Sequence, residues 1–501
     1  MAPAETSSRE YAISLDRSDA LKFTRDEFLI PTKAEAWSKS LIAVGSGAGT
    51  STGAGDASTA QQSQAADDNS APCTYLVGNS LGLQPRRTAT RLRQYLDTWA
   101  TQGVQGHFKP LEGSPLPTWL DADAAAASMM APIVGADPSE VAVMQSLTAN
   151  LHFLMSAFYR PDPAGRHKVI LEAKAFPSDH FLVETQIRHH GLSTESSMVL
   201  ISPPGSQQQQ KDAAAAPAPV DPLLPTERIL AVIDEHAESA ALLLLPGIQY
   251  YTGQLLDIPR ITAHARSRGV FVIWDLAHAA GNADLRLHDW DVDAAAWCTY
   301  KYLNAGPGCI GGLFVHERHT RVSTGPSDED PASGFTNRLA GWWGNDKATR
   351  FGMSGGFHAA PGAAGFQVSN PSIVDITCLC ASLEVFELAG GMAPLREKSR
   401  RLTAYLEALL RDMPAEARAL FTQITSADPD QRGAQLSLRL EEGLLDKVMD
   451  ELLAGGVLVD ERRPDVIRVA PAPLYNTFED CFNFVQVFAS ALAAAKGATA
   501  A

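Results

Sequence analysis

The sequence predicts an α/β protein: a mainly parallel sheet covered by helices, followed by a smaller α+β domain. Two observations carry this expectation. Short apolar runs in the middle of the chain alternate with amphipathic segments, and after about Pro371 the pattern changes to long helical periodicity.

The runs KVILE (168–172), MVLIS (198–202), ALLLL (241–245), VFVIW (270–274), AAAW (294–297) and IGGLFV (310–315) are too short for helices. Being apolar at successive positions, they suit strands buried on both faces, which is the condition of a parallel sheet under helices. The segment IPRITAHARSRG (258–269) has the spacing of a covering helix. Beyond Pro371, DITCLCASLEVFELAGG and LREKSRRLTAYLEALLRDM read as long helices, AQLSLRL as an alternating strand and LLDKVMDELLAGG as another helix. Three regions follow: an N-terminal segment (1–110), a large domain (111–370) and a small C-terminal domain (371–501). Segments 45–72 and 203–225 are rich in Gly, Ser, Gln, Ala and Pro. Such stretches cannot repay the entropy of ordering and are expected to be mobile insertions.

With 501 residues, 45% hydrophobic and 20% charged, the chain has the composition of a packed soluble protein. Its formal net charge of -16 opposes non-specific attraction to nucleic acid or anionic membrane, so an anionic ligand needs a local site. The start lacks an apolar signal core and AALLLL (240–245) is far too short to span a bilayer; a cytoplasmic location is the expectation. The six cysteines show neither zinc spacing nor a disulfide framework and read as reduced thiols, with no metal site expected.

Open α/β sheets bind ligands beyond the carboxyl ends of their strands. Asp275 directly follows VFVIW, and a carboxylate there has as partner either a ligand or a neighbouring helix N-terminus. Lys301 follows DAAAWCTY; alone it reads as a solvated lysine. Together they meet the needs of a pyridoxal cofactor, an amine to carry it and a carboxylate to keep its pyridine nitrogen protonated. Thr148, at the start of the helix-like QSLTANLHFLMSAF, offers a hydroxyl and nearby amides to a phosphate, or simply a helix cap. After KVILE, Phe176 can cover an aromatic ring and Asp179 can bond its substituents; the alternative is a core phenylalanine and a capping aspartate.

The motifs YLVGNSLGLQP (75–85), FPSDH (176–180), YYTGQ (250–254), DLAHAAGN (275–282), YKYLNAGPG (300–308), GWWG (341–344), VSNP (368–371) and RVAPAPLYN (468–476) resemble, in this order, the kynureninase family. The resemblance runs from about Leu21 to the last helix. It implies a fold-type I large domain with pyridoxal 5'-phosphate held as a Schiff base by Lys301. Asp275 would meet the pyridine nitrogen and His278 the phenolic side. Phe176, Pro177, Ser178 and Asp179 would form a wall over the ring, while Leu147, Thr148 and Tyr300 would bind the phosphate. Tyr300 would either relay protons or only hold that phosphate. Trp342 and Asn370 would come from the second subunit of a homodimer. Arg468 would clamp the substrate α-carboxylate, and His107, Ser369 and Asn370 would line an aryl pocket.

The implied reaction is hydrolysis of L-kynurenine and 3-hydroxy-L-kynurenine to anthranilate or 3-hydroxyanthranilate plus L-alanine, as in tryptophan catabolism and de novo NAD biosynthesis. The 3-hydroxy substrate is the expected favourite, because GHF (106–108) and VSNP resemble the eukaryotic form. Two departures stand out: Pro246 where many relatives carry Ser, and Asn345 where some have His. The rival readings are a cysteine desulfurase or aminotransferase of the same superfamily, or a non-catalytic pyridoxal-binding protein.

Overall fold

The apolar runs form the expected sheet. The computed structural model describes residues 6–38, 70–205, 221–322, 334–353 and 356–499, so residues 45–69 and 206–220 of the two low-complexity segments lie outside the described residues. Seven strands make one sheet: β1 (Val141–Val143), β2 (Lys168–Glu172), β3 (Met198–Ile201), β4 (Ala240–Pro246), β5 (Phe271–Asp275), β6 (Ala294–Trp297) and β7 (Gly312–Val315). Their spatial order is β1-β7-β6-β5-β4-β2-β3.

From β6 through β3 the neighbours pair in parallel. Parallel neighbours need crossovers, and helices α1 (Leu147–Phe158), α2 (Pro177–His189) and α3 (Ile258–Ser267) occupy the intervals before β2, β3 and β5. Strand β7 departs from the parallel pattern, running antiparallel to both β6 and β1. The segment joining β6 to β7 holds no helix, so the chain turns back directly.

Two compact units emerge from the fold. The larger comprises residues 79–397 and 424–433 and contains this sheet. Val169, Leu171, Leu242, Leu244 and Ile273 on its strands bury against Leu151, Leu154, Leu182 and Ile187 on α1 and α2. Trp274 is fully buried, and its indole N–H donates to Thr262 Oγ1 on α3 at 2.9 Å, which satisfies the one polar atom such a residue brings inside. Helix α4 (Ile373–Leu388) also belongs here.

The other unit takes residues 1–78, 398–423 and 434–501. Strands β8 (Phe421–Gln423), β9 (Leu436–Leu440), β10 (Asp460–Arg462) and β11 (Val466–Val469) form an antiparallel sheet in the order β8-β9-β11-β10. Helices α5 (Leu445–Ala454) and α6 (Phe478–Thr499) contribute Val448, Leu452, Phe484 and Phe488 to its core. The carboxylate of Asp16, on the N-terminal helix Arg9–Ser18, accepts the backbone N–H groups of Phe478 at 2.7 Å and Glu479 at 3.0 Å. An anion there satisfies first-turn donors and opposes the α6 dipole.

Among the described residues no helix is long and apolar enough to cross a membrane. All six cysteines are free, and Cys73, Cys298, Cys309, Cys380 and Cys481 are buried.

Candidate active site

The site is built at the carboxyl ends of adjacent strands. Asp275 is the last residue of β5 and is buried; its Oδ1 accepts the Ala277 N–H at 2.7 Å, which fixes the carboxylate. Lys301 stands in the turn beyond β6, the parallel neighbour of β5, rather than on the strand itself. Its Nζ lies 5.9 Å from the Tyr300 ring centroid and makes no ion pair among the described residues. A lysine placed this way keeps its amine available.

Asp179 joins them from the first turn of α2. It is 4% exposed, and one of its oxygens, Oδ1, has no hydrogen-bond partner. Burial pushes its carboxyl well above the usual range, the neighbouring Asp275 and Glu172 add to this, and Lys301 opposes it. The alternative of Asp179 as a helix cap is not realised, since Phe176 occupies that position and α2 opens on Pro177 at its first turn. Burial, together with Cys298 and Asp275, also raises the Tyr300 phenol, so Tyr300 is a hydroxyl donor at neutral pH.

Two helix starts meet beside this cluster. The Thr148 hydroxyl on α1 and the Ser178 hydroxyl on α2 are 2.7 Å apart. First-turn amides of a helix have no intrahelical partners, so the pair marks a place suited to a phosphate. Leu147 is the first residue of α1. Phe176 is 46% exposed and meets Tyr250 edge to face at 5.3 Å, leaving ring surface accessible. His278 is buried, and its carbonyl accepts the Asn282 side-chain amide at 2.9 Å. Gly82, from GNSLG, donates its N–H to the Tyr300 carbonyl at 2.8 Å. A Cβ on Gly82 would sit 2.3 Å from the Lys301 carbonyl oxygen, so only glycine permits this approach.

Several expected residues lie elsewhere in the larger unit. His107 is half-buried against Trp119 at 5.2 Å, and Phe108, Phe351 and Trp342 continue the aromatic contacts at 5.7 and 5.3 Å. Trp342 is 48% exposed and borders a cavity of about 490 Å³ also lined by Asn345, Thr349, Arg350 and Phe357. Asn345 accepts the His358 N–H at 2.7 Å through its side-chain oxygen, so this position is engaged in its own loop. Ser369 and Asn370 are exposed. Pro246 ends β4 in register with Asp275. In the smaller unit, Arg468 on β11 is 1% exposed, and Asp460, its cross-strand partner on β10, accepts from its Nε at 3.0 Å and lies 2.7 Å from its Nη2.

Buried carboxyls, an available amine, paired hydroxyls at two helix starts and an uncovered aromatic face fit a pyridine-ring cofactor with a phosphate. The family model described as Kynureninase C-terminal domain matches residues 395–488, and that described as Aminotransferase class-V matches residues 208–326. Kynureninase 2 of Neurospora crassa is 63% identical over 489 residues, covering 98% of each chain. The chain belongs to the kynureninase family. Kynureninase 1 of Chaetomium globosum is 62% identical across 91% of this chain and 87% of its own. Solved structures share the fold at far lower identity. A cysteine desulfurase from Thermococcus onnurineus aligns with a TM-score of 0.61 at 14% identity, over 84% of this chain and 95% of that one. A C-DES variant with glycine covalently linked to its PLP cofactor aligns at 0.64 and 16%, over 83% and 96%. These likenesses concern the fold alone, whereas the kynureninase relatives match at the level of sequence. Cys73, the one cysteine at the edge of a low-complexity segment, is buried with its thiol pushed up by that burial, which is unsuited to a nucleophile.

The sequence reading did not name Glu172, which acts on the Asp179 carboxyl, Gln249, which donates to Glu172, or Asp460, which pairs with Arg468. Glu172 was legible by the criterion that found Asp275, a carboxylate ending an apolar strand run.

Proposed function

We propose that this kynureninase-family enzyme cleaves L-kynurenine and its 3-hydroxy form hydrolytically at the site on β5, the turn after β6 and the starts of α1 and α2. The observation that carries the placement is the buried pair Asp275 and Asp179 beside the amine of Lys301. Pyridoxal phosphate bound there supplies the electron sink for the carbon–carbon cleavage. Lys301 carries the cofactor and moves the proton at the substrate α-carbon. Asp275 keeps the proton on the pyridine nitrogen, with Asp179 beside it, and His278 faces the phenolic side.

The hydroxyls of Thr148 and Ser178, the amide of Leu147 and the Tyr300 hydroxyl hold the phosphate; Pro177 sets the start of α2 and Phe176 covers the ring. Arg468 takes the substrate carboxylate as a planar bidentate donor, and Asp460 orients its guanidinium. His107, Ser369 and Asn370 serve the aryl end.

We read the enzyme as a cytoplasmic homodimer in which Trp342 and Asn370 complete the partner's site. Supporting this are the free thiols and the exposed apolar side chains of Phe108, Trp342, Phe351 and Met353. Offered kynurenine, the cofactor-loaded protein is expected to release anthranilate and alanine in equal amounts; offered cysteine, it should release no sulfide. Sulfide without anthranilate would replace this reading by the desulfurase one.

A further inference from the structure

Glu172, the last residue of β2, is 3% exposed and makes no ion pair among the described residues. Its Oε1 accepts from the Gln249 side-chain amide at 3.2 Å, and the same nitrogen lies 3.3 Å from the Lys174 carbonyl. The orientation of that amide is settled by its other end. Gln249 Oε1 accepts the N–H groups of Tyr251 at 2.7 Å and Thr252 at 2.8 Å, so the oxygen must face the turn and the nitrogen must face Glu172. Glu172 therefore anchors, through one glutamine, the turn that carries Tyr250, whose ring meets Phe176.

Resting on the reading of Asp275 as the pyridine partner, we propose that Glu172 is a positioning residue of the cofactor site: it anchors Gln249 and, by keeping its own carboxyl uncharged, leaves the negative charge behind the pyridine nitrogen to Asp275. A neutral amide is a poor counterpart for a buried carboxylate, and a buried charge without a cation is costly. The titratable groups acting here are Asp275 at the end of β5, Asp179 on α2, whose carboxyl burial also pushes up, and Lys301 beyond β6; the Lys174 ammonium lies 5.9 Å over the Tyr251 ring instead. Burial pushes the Glu172 carboxyl up to about 8, with Asp275 raising it further and Gln249 opposing. Below that pH Glu172 adds no charge to the site. Above it, a new charge appears next to Asp275.

The test uses the cofactor-loaded enzyme and three variants, Glu172→Gln, Glu172→Ala and Asp275→Asn, titrated from pH 6 to 9.5. Readouts are the cofactor absorption spectrum, the cofactor dissociation constant and kcat/KM for kynurenine. Wild type is expected to show an alkaline spectral transition near pH 8. Glu172→Gln, a permanently neutral mimic, should lose it or move it up by about one unit or more while keeping the neutral-pH spectrum. Glu172→Ala, which releases Gln249, should bind cofactor about 5- to 10-fold more weakly, the scale of one buried hydrogen bond. Superimposable spectral and kcat/KM profiles for wild type and Glu172→Gln would overturn the proposal, even if Asp275→Asn is inactive. A normal spectrum and activity in Asp275→Asn would instead remove the reading on which it rests.

Discussion

At the scale of single residues, Asp275 and Lys301 were singled out as charged side chains following apolar runs, and the structure sets Asp275 at the end of β5 and Lys301 in the turn beyond β6. Asp275→Asn keeps the shape but cannot hold the pyridine nitrogen protonated, so kcat should fall by about 10²-fold or more, the scale of losing one preorganised electrostatic partner. Steady-state kinetics on cofactor-saturated protein checks this, and near-normal turnover would reduce Asp275 to a structural role. Specificity is a second question at this scale. A buried phenolic hydroxyl needs a polar partner, and the His107 imidazole, whose Nδ1 is buried without one, is suited to supply it. The ratio of kcat/KM for 3-hydroxykynurenine over kynurenine should exceed one and shrink in His107→Phe or Asn370→Ala by roughly 1–3 kcal/mol, about 5- to 150-fold. Equal ratios in all three proteins would take both residues out of the account. Arg468 was assigned to the substrate carboxylate from the resemblance alone, and its tie to Asp460 was invisible, because cross-strand pairing depends on register rather than on a local pattern.

At the scale of elements, the strands with four or more apolar residues were found and β1 was missed. Three residues carry no period, and the pairing of β1 with β7 joins segments far apart in sequence. That junction carries its own titratable contact. His288 Nδ1 lies 3.0 Å from Glu140, which precedes β1, and its ring stacks on His316 just after β7 at 5.0 Å. The hydrogen bond to Glu140 raises the His288 pKa above its usual 6.5, with Asp137 and Asp289 adding to it and burial opposing. A raised folded value means that the folded chain holds the proton more tightly. The stabilisation is therefore complete below 6.5 and is lost as pH rises through the folded value. His288→Gln should thus lower the melting midpoint most in mild acid and least in alkali. The difference should be modest, because the side chain is 39% exposed and solvent screens it. A deficit that is constant across pH would assign the effect to packing instead.

At the scale of the whole molecule, the sequence announced the change to long helices after Pro371. It did not announce that residues 1–78 share a compact unit with 398–423 and 434–501. Such grouping rests on contacts like Asp16 with the start of α6, which periodicity cannot register. The same holds for the homodimer proposed from Trp342 and Asn370. Mixing Lys301→Ala with Asn370→Ala chains should raise activity in verified hybrids above that of either parent, since one of the two sites then receives both intact residues. Hybrids no more active than the Asn370→Ala parent would count against shared sites. All of this depends on one central claim, that the chain hydrolyses kynurenine through Lys301. The most direct measurement is anthranilate release from kynurenine by the purified, pyridoxal-phosphate-loaded wild type and by Lys301→Ala side by side. The account predicts steady release by the first and none above background by the second; equal release by both, or none by either folded protein, would contradict it.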